Sequence, residues 1–179
     1  MKYILQLILF FSLTSLFSQK INVENIEILR DSFGVPHIYA KTDAELAYGL
    51  AWAHSEDDFK TIQEAYLAGN GLLSKHIGLR GAPADFLTQL IRSDHVVDSL
   101  YHTIDKNFIK VIEGYAQGIN RFAELNPDQI LVKKLFPITT KKMIRYSFLQ
   151  LLFQVRVMIL LEQLLKIQLE KYLFWITIN

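Results

Sequence analysis

The segment RDSFGVPHIYAKTD, residues 30–43, decides how this chain is read. An extended run ends at Arg30, a Gly-Val-Pro break follows, and a second extended run leads straight into a helix start. Gly34 permits a backbone conformation closed to other residues, and Pro36 fixes φ where the second run begins. Upstream, Val23, Ile26 and Ile28 sit among polar residues, and downstream Ile38 and Tyr39 continue the second run. The pattern predicts two short strands joined by a turn at Asp31 to Pro36, with the proline marking a sheet edge. Thr42 followed three residues later by Glu45 is a capping box, so a helix starts there.

Working outward, Leu46, Leu50 and Ala53, flanked by Ala47, Ala51 and Trp52, continue that helix. After the acidic cluster Glu56-Asp57-Asp58, helical spacing resumes with Phe59, Ile62, Tyr66 and Leu67 and ends at Gly69-Asn70-Gly71. Ser93 or Asp94 is the expected cap of a short helix reaching Tyr101. Asp105 caps a clearer one whose apolar face is Phe108, Val111, Ile112, Tyr115, Ala116, Ile119, Phe122 and Ala123, stopped by Asn126-Pro127. A further amphipathic helix, KKMIRYSFLQLLF, begins after a cap at Thr139 or Thr140. There is no internal repeat and no low-complexity linker.

A chain of 179 residues, 51% apolar, is large enough for one core and does not require two. Its net charge of +1 is spread as mixed signs, which gives no electrostatic ground for a nucleic-acid or anionic-membrane partner. Lys2, the apolar run Ile4 to Phe11 and the small polar residues Ser12, Thr14, Ser15 and Ser18 form a secretory signal pattern over residues 1–18, cleaved after Ser18. The run is shorter than the roughly 20 residues that span a bilayer, so no membrane partner is expected. With no cysteine, the exported protein relies on packing alone, and a periplasmic or secreted location fits.

Few residues announce chemistry. His54 and Asp58 are four apart, a spacing at which both reach one metal, and equally the spacing of an ordinary polar helix face, which is the reading adopted. His95, Asp98, His102 and Asp105 recur as a solvated face does. His37 has no obvious acidic partner in sequence and reads as structural. Arg30 and Asp31 read as a salt bridge or turn contact, and the aromatic pairs Trp52/Tyr48 and Phe59/Tyr66 as core. No G-x-S-x-G, S-x-x-K or HExxH is present.

Three blocks, R-D-x-x-G-V-P-H-I from Arg30, Y-G-x-A-x-A-H-x-E-D from Tyr48 and E-G-Y-A-x-G-x-N from Glu113, occur in order, with GNGLLSKHIG between the second and third. Together they resemble the start of the α chain of the penicillin acylase family, which includes penicillin amidases, acyl-homoserine-lactone acylases and aculeacin-type acylases. The resemblance covers about residues 24–153. It implies an α+β fold: a mostly helical α-chain fragment, residues 19–154, whose strand pair joins the αββα sandwich of an N-terminal nucleophile hydrolase. It implies exported precursors that cut themselves into α and β chains and hydrolyse the amide bond of acylated small molecules.

By the same resemblance the nucleophile is a Ser opening the β chain, its own α-amine acting as base, and the oxyanion donors also come from that chain. No such Ser is recognised here, and Gln19, exposed by cleavage after Ser18, has no hydroxyl. No catalytic residue is therefore assigned, and the expectation is a truncated, inactive acylase fragment with the β chain of the same precursor as partner. Leu149, Leu152 and Phe153 fall where family members line the acyl pocket. The family's calcium ion lies between the chains, with ligands outside the matched part, so no metal or other cofactor is assigned. Residues 155–179 contain no Gly, Pro, Ser, Asp or Ala and end in YLFWITIN, an uncovered β-prone run. A shifted reading frame is the expected cause. The alternative is an exported helical binding module without catalysis, which unfolds cooperatively where a fragment lacking its sheet partners is molten or insoluble.

Overall fold

The computed structural model describes residues 21–152 together with 154, 163 and 166. The expected signal segment 1–18, Phe153 and, apart from Gln163 and Lys166, the tail 155–179 lie outside the described residues. Strands β1 (Glu27–Arg30) and β2 (Pro36–Tyr39) pair antiparallel, with Ile28 opposite Ile38 and Arg30 opposite Pro36. The connection is the expected turn. Gly34 takes φ 83, and the Asp31 carboxylate accepts from the N–H groups of Phe33 and Val35, both at 2.9 Å.

Helix α1 (Asp43–Gly69) starts on the predicted box, with Glu45 N donating to the Thr42 hydroxyl at 3.2 Å and that hydroxyl donating to Glu45 Oε2 at 3.1 Å. It is broken at Asp58, whose φ of −157 and ψ of 72 are not helical, and whose carboxylate accepts from Thr61 N at 3.0 Å. Asp58 therefore acts as an N-cap for the second half, the role its short acidic side chain suits. Helices α2 (Ser74–Ile77) and α3 (Ala82–Leu90) follow, in a region where no helix is expected from apolar spacing. Their order comes from a carboxylate: Asp85 is buried and accepts from Leu73 N at 2.7 Å, Ser74 N at 2.9 Å and the Ser74 hydroxyl.

Helix α4 (Ser93–Leu100) is capped differently from expectation. Neither Ser93 nor Asp94 is the N-cap; Arg92 is, with φ 50 and no side-chain hydrogen bond to the first turn. Helix α5 (Lys106–Leu125) is capped by Asp105, as expected, through Asn107 N and Phe108 N. The buried residues of α5 run from Gly114 to Ala123, and Phe108, assigned to the apolar face, lies outside that stretch and is 57% exposed. Helix α6, residues 140–152, is capped by Thr139, whose hydroxyl accepts from Lys142 N at 3.3 Å.

The core lies where α1 crosses α5 and where the loop 130–138 and α6 fold over the pair. Leu67, Ile119, Leu135 and Ile138 are wholly buried, with Phe59 and Phe122 meeting edge to face at 5.0 Å between ring centroids. Two side-chain amides replace missing strand partners for the loop. Gln63, fully buried, donates to Gln129 O at 3.0 Å and accepts from Leu131 N at 2.9 Å. Asn120 accepts from Ile138 N at 2.7 Å and donates to Ile138 O at 2.8 Å. A loop that runs over the core without a sheet needs such partners for its peptide groups.

Candidate functional site

The three sequence blocks converge on one another rather than on an empty cavity. Arg30, from the first, reaches Glu56 at 3.1 Å and Asp57 at 2.9 Å in the second, and its other contacts are Gly34 O and Ala53 O. The guanidinium is held above its ordinary pKa, first by the hydrogen bond to Glu56 and then by that to Asp57. Glu56 also accepts from the Trp52 indole at 2.8 Å. Arg30 and Asp31 are thus the predicted structural contacts, one to the helix and one to the turn.

The second and third blocks meet backbone to backbone. A Cβ on Gly114 would stand 2.1 Å from the Ala44 carbonyl oxygen, and one on Gly118 would stand 2.5 Å from that of Tyr48. The four-residue spacing of these glycines puts both on one face of α5, and that face is where α1 lies. Ala51 of the second block, whose Cβ lies 2.8 Å from where a Gly118 Cβ would stand, is small for the same reason and is fully buried. Asn120, the last residue of the third block, is the clamp on Ile138.

His54 does not share a helix face with Asp58, because α1 breaks there; its Nδ1 lies 2.9 Å from the Tyr115 hydroxyl instead. Tyr115 and Tyr66 are pushed up in pKa, above all by burial, so their hydroxyls stay protonated donors. His37 does have an acidic neighbour: Asp31 Oδ2 is 3.5 Å from its Nε2, brought there by the turn rather than by sequence spacing. Asp98 serves a basic pair, Lys141 at 2.7 Å and Arg145 at 3.8 Å. Among the described residues no three His, Cys, Asp or Glu side chains converge.

Among the described residues, the Ser55, Thr88 and Ser74 hydroxyls are committed to carbonyls or a carboxylate. Ser55 donates to Ala51 O at 2.7 Å, Thr88 to Ala68 O at 2.9 Å, and Ser74 to Asp85. Apart from Tyr115, no described hydroxyl is hydrogen-bonded to an imidazole, and a protonated phenol is a poor nucleophile.

The expected pocket residues sit on the second half of α6. Leu149 is half-buried and Leu152 is 40% exposed, while Phe153 lies outside the described residues. Upstream on the same helix, Tyr146 packs its backbone against Gly69 and its ring edge to face on Tyr66 at 5.0 Å. An apolar cleft lined by Ile26, Ile28, Tyr48 and Trp52 lies on the other side, where the strands meet α1. Trp52 packs on the core, edge to face with Phe122 at 5.4 Å, and with Tyr48 also walls this cleft, while Phe59 and Tyr66 are buried as expected. Sequence reading missed Asp85, Gln63 and Lys142. The Lys142 ammonium is held below its ordinary pKa by burial and by Arg145, while donating to Leu135 O and Pro137 O.

The interlocked blocks and the helical fold with its strand pair define a segment of an amide-hydrolase family, and the chain belongs to it: the sequence profile of the penicillin amidase family matches residues 25–173. The chain is 26% identical over 134 residues to the acyl-homoserine lactone acylase PvdQ of Pseudomonas syringae pv. syringae (strain B728a), covering 68% of this chain and 17% of that protein. It is 27% identical over 144 residues to penicillin G acylase of Escherichia coli, covering 76% of this chain and 16% of that protein. Among solved structures, thermostable penicillin G acylase from Alcaligenes faecalis superposes with a TM-score of 0.58 at 22% identity, over 68% of this chain and 69% of that one. The fold is therefore that of penicillin G acylase in this region. The chain spans about a sixth of the length of these curated relatives.

Proposed function

We propose that this chain is part of the first chain of an amide hydrolase acting on N-acylated small molecules, and that it contributes scaffold and one acyl-pocket wall while the nucleophile comes from elsewhere. The observation that carries this reading is the interlocking of the three family blocks into a framework whose described residues include no nucleophile–base pair. The wall assignment rests on the family resemblance, by which Leu149, Leu152 and Phe153 correspond to acyl-pocket positions. The strand pair supports the same reading. Two strands alone are marginal in water, and here Leu29, Phe33, Val35 and Tyr39 are exposed on or beside them, as expected of strands built to extend a larger sheet. The export signal read in residues 1–18 assigns the protein to the periplasm or the exterior.

The test is an assay of the purified chain against phenylacetyl and long-chain acyl amides, alone and mixed with a family β chain. No turnover alone is expected. Turnover by the chain alone overturns the proposal, because it requires a nucleophile within it. The core built on Leu67, Ile119, Leu135 and Ile138 favours a second reading, an exported binding module, to the extent that the chain unfolds cooperatively by itself. Sedimentation separates the two: a monomer supports the module, and oligomers or aggregates support the fragment.

A further inference from the structure

Helix α3 is turned inside out. Its buried side chains are polar: Asp85 and Thr88 are 6% and 5% exposed, Asp85 holding the N–H groups of Leu73 and Ser74 and Thr88 donating to Ala68 O at 2.9 Å. Its outer side chains are apolar. Phe86, Leu87 and Leu90 are 66%, 46% and 65% exposed, and Pro83 is exposed beside them. With 3.6 residues per turn these four fall within one sector of about 100°, opposite Asp85 and Thr88. The turn before the helix, Gly78–Gly81, extends the apolar surface with Leu79, 88% exposed. A helix serving only its own core points its apolar stripe inward, so an outward stripe marks an interaction surface. The acylase reading assigns the strand pair to a larger sheet and α6 to a pocket wall, and gives this face no role.

Charge identifies the partner. Residues 72–92 carry Lys75, Arg80 and Arg92, all exposed and none in an ion pair among the described residues, and a single carboxylate, Asp85, which is buried. Glu64, the carboxylate of α1 that reaches this region, is engaged by His76 at 3.3 Å and Lys60 at 3.9 Å. Beyond Arg92 the next carboxylate, Asp94, belongs to α4. The whole-chain balance of +1 conceals this local excess of positive charge. We propose that α3 and the turn before it dock on a membrane surface rich in anionic lipid. Phe86, Leu87, Leu90 and Leu79 enter the acyl-chain boundary, and Lys75, Arg80 and Arg92 meet the headgroups. An apolar stripe with unpaired cations around it satisfies both layers of such a surface at once. The helix lies on the bilayer and does not cross it, since its nine residues are far fewer than the roughly 20 that span one.

The chain has no cysteine, so Leu90→Cys and Phe33→Cys each give one attachment point for an environment-sensitive fluorophore on the full chain. Phe33, 90% exposed in the strand turn, is the control for general stickiness of exposed apolar residues. With phosphatidylglycerol–phosphatidylethanolamine vesicles the label at position 90 should shift to the blue and be quenched by brominated lipid, while the label at position 33 stays in water. Phosphatidylcholine vesicles should move it far less. Lys75→Gln and Arg80→Gln replace exposed side chains, so the fold is retained, and each should lower the vesicle affinity read at position 90 by roughly fivefold. Three results would each overturn the assignment: no response at position 90 to anionic vesicles, an equal response at position 33, or an equal response to phosphatidylcholine. A label at position 90 already in an apolar setting before vesicles are added, and unmoved by them, assigns the face to a second copy and overturns it too.

Discussion

Asn120 devotes both ends of its side-chain amide to the N–H and C=O of Ile138, a residue that is itself 2% exposed. Asn120→Ala leaves two peptide groups of a buried loop residue without partners, and a loss of about 2 kcal/mol is expected, measured as a lower denaturant midpoint at unchanged slope. Asn120→Asp keeps the acceptor for Ile138 N and places a carboxylate against Ile138 O, so it destabilises as well. Carboxylates set the response to acid. Asp31 is held below its ordinary 3.8 by the N–H of Val35 and then Phe33, Asp58 by Thr61, and Asp98 by Lys141, while Glu45 is held below 4.5 by the Asn25 amide and then Thr42. Each binds its proton more weakly folded than unfolded. The stability they contribute is therefore complete above their ordinary values and is lost as pH falls through the depressed ones. Thermal midpoints recorded through that range should drop steadily, and Glu45→Gln should flatten the drop.

At the scale of elements, the crossing of α1 and α5 is set by the absence of side chains. Because the nearest atom to a Cβ on Gly114 is the backbone oxygen of Ala44, the helices have to separate to admit one. Gly114→Ala should destabilise by about 2–3 kcal/mol, with slower refolding or loss of the docked pair in amide exchange. Within α1, Asp58→Ala removes the internal cap of the second half and should cost about 1 kcal/mol by the same denaturation measurement. The start of α1, the caps of α5 and α6 and the strand turn were legible because each depends on residues a few positions apart. The break at Asp58 was not, since the acidic cluster around it continues a helical pattern as readily as it interrupts one. Nor were α2 and α3: their organiser, Asp85, acts on Leu73 and Ser74 from twelve and eleven residues away, beyond any local motif.

Taken whole, the molecule pairs a closed core with an open exterior. Phe33 and Leu79 are 90% and 88% exposed, and Phe86 and Leu90 are 66% and 65% exposed on α3. Large apolar side chains left in water at several places favour self-association, so the isolated chain should bind hydrophobic dyes and sediment as oligomers. Addition of the rest of a family hydrolase should suppress both effects if these faces are its contacts; dye binding unchanged by such addition would count against the sheet-extension reading. No helix of the described residues is long and apolar enough to cross a membrane.

The sequence by itself determined the family blocks, the strand-turn-strand unit and most helix starts, because turns, caps and apolar spacing act over one or two turns of chain. It also named Arg30 and Asp31 as structural, since adjacent opposite charges at a strand end have few other uses. Only the tertiary structure decided what the blocks are for. Arg30 meets Glu56 and Asp57, His54 meets Tyr115, Gly118 meets Tyr48, and Arg145 comes to the start of α4, each across a distance in sequence that only packing spans. Close approach of two backbones and the pairing of distant polar groups are properties of how elements dock, and docking is fixed by the shape of the whole core.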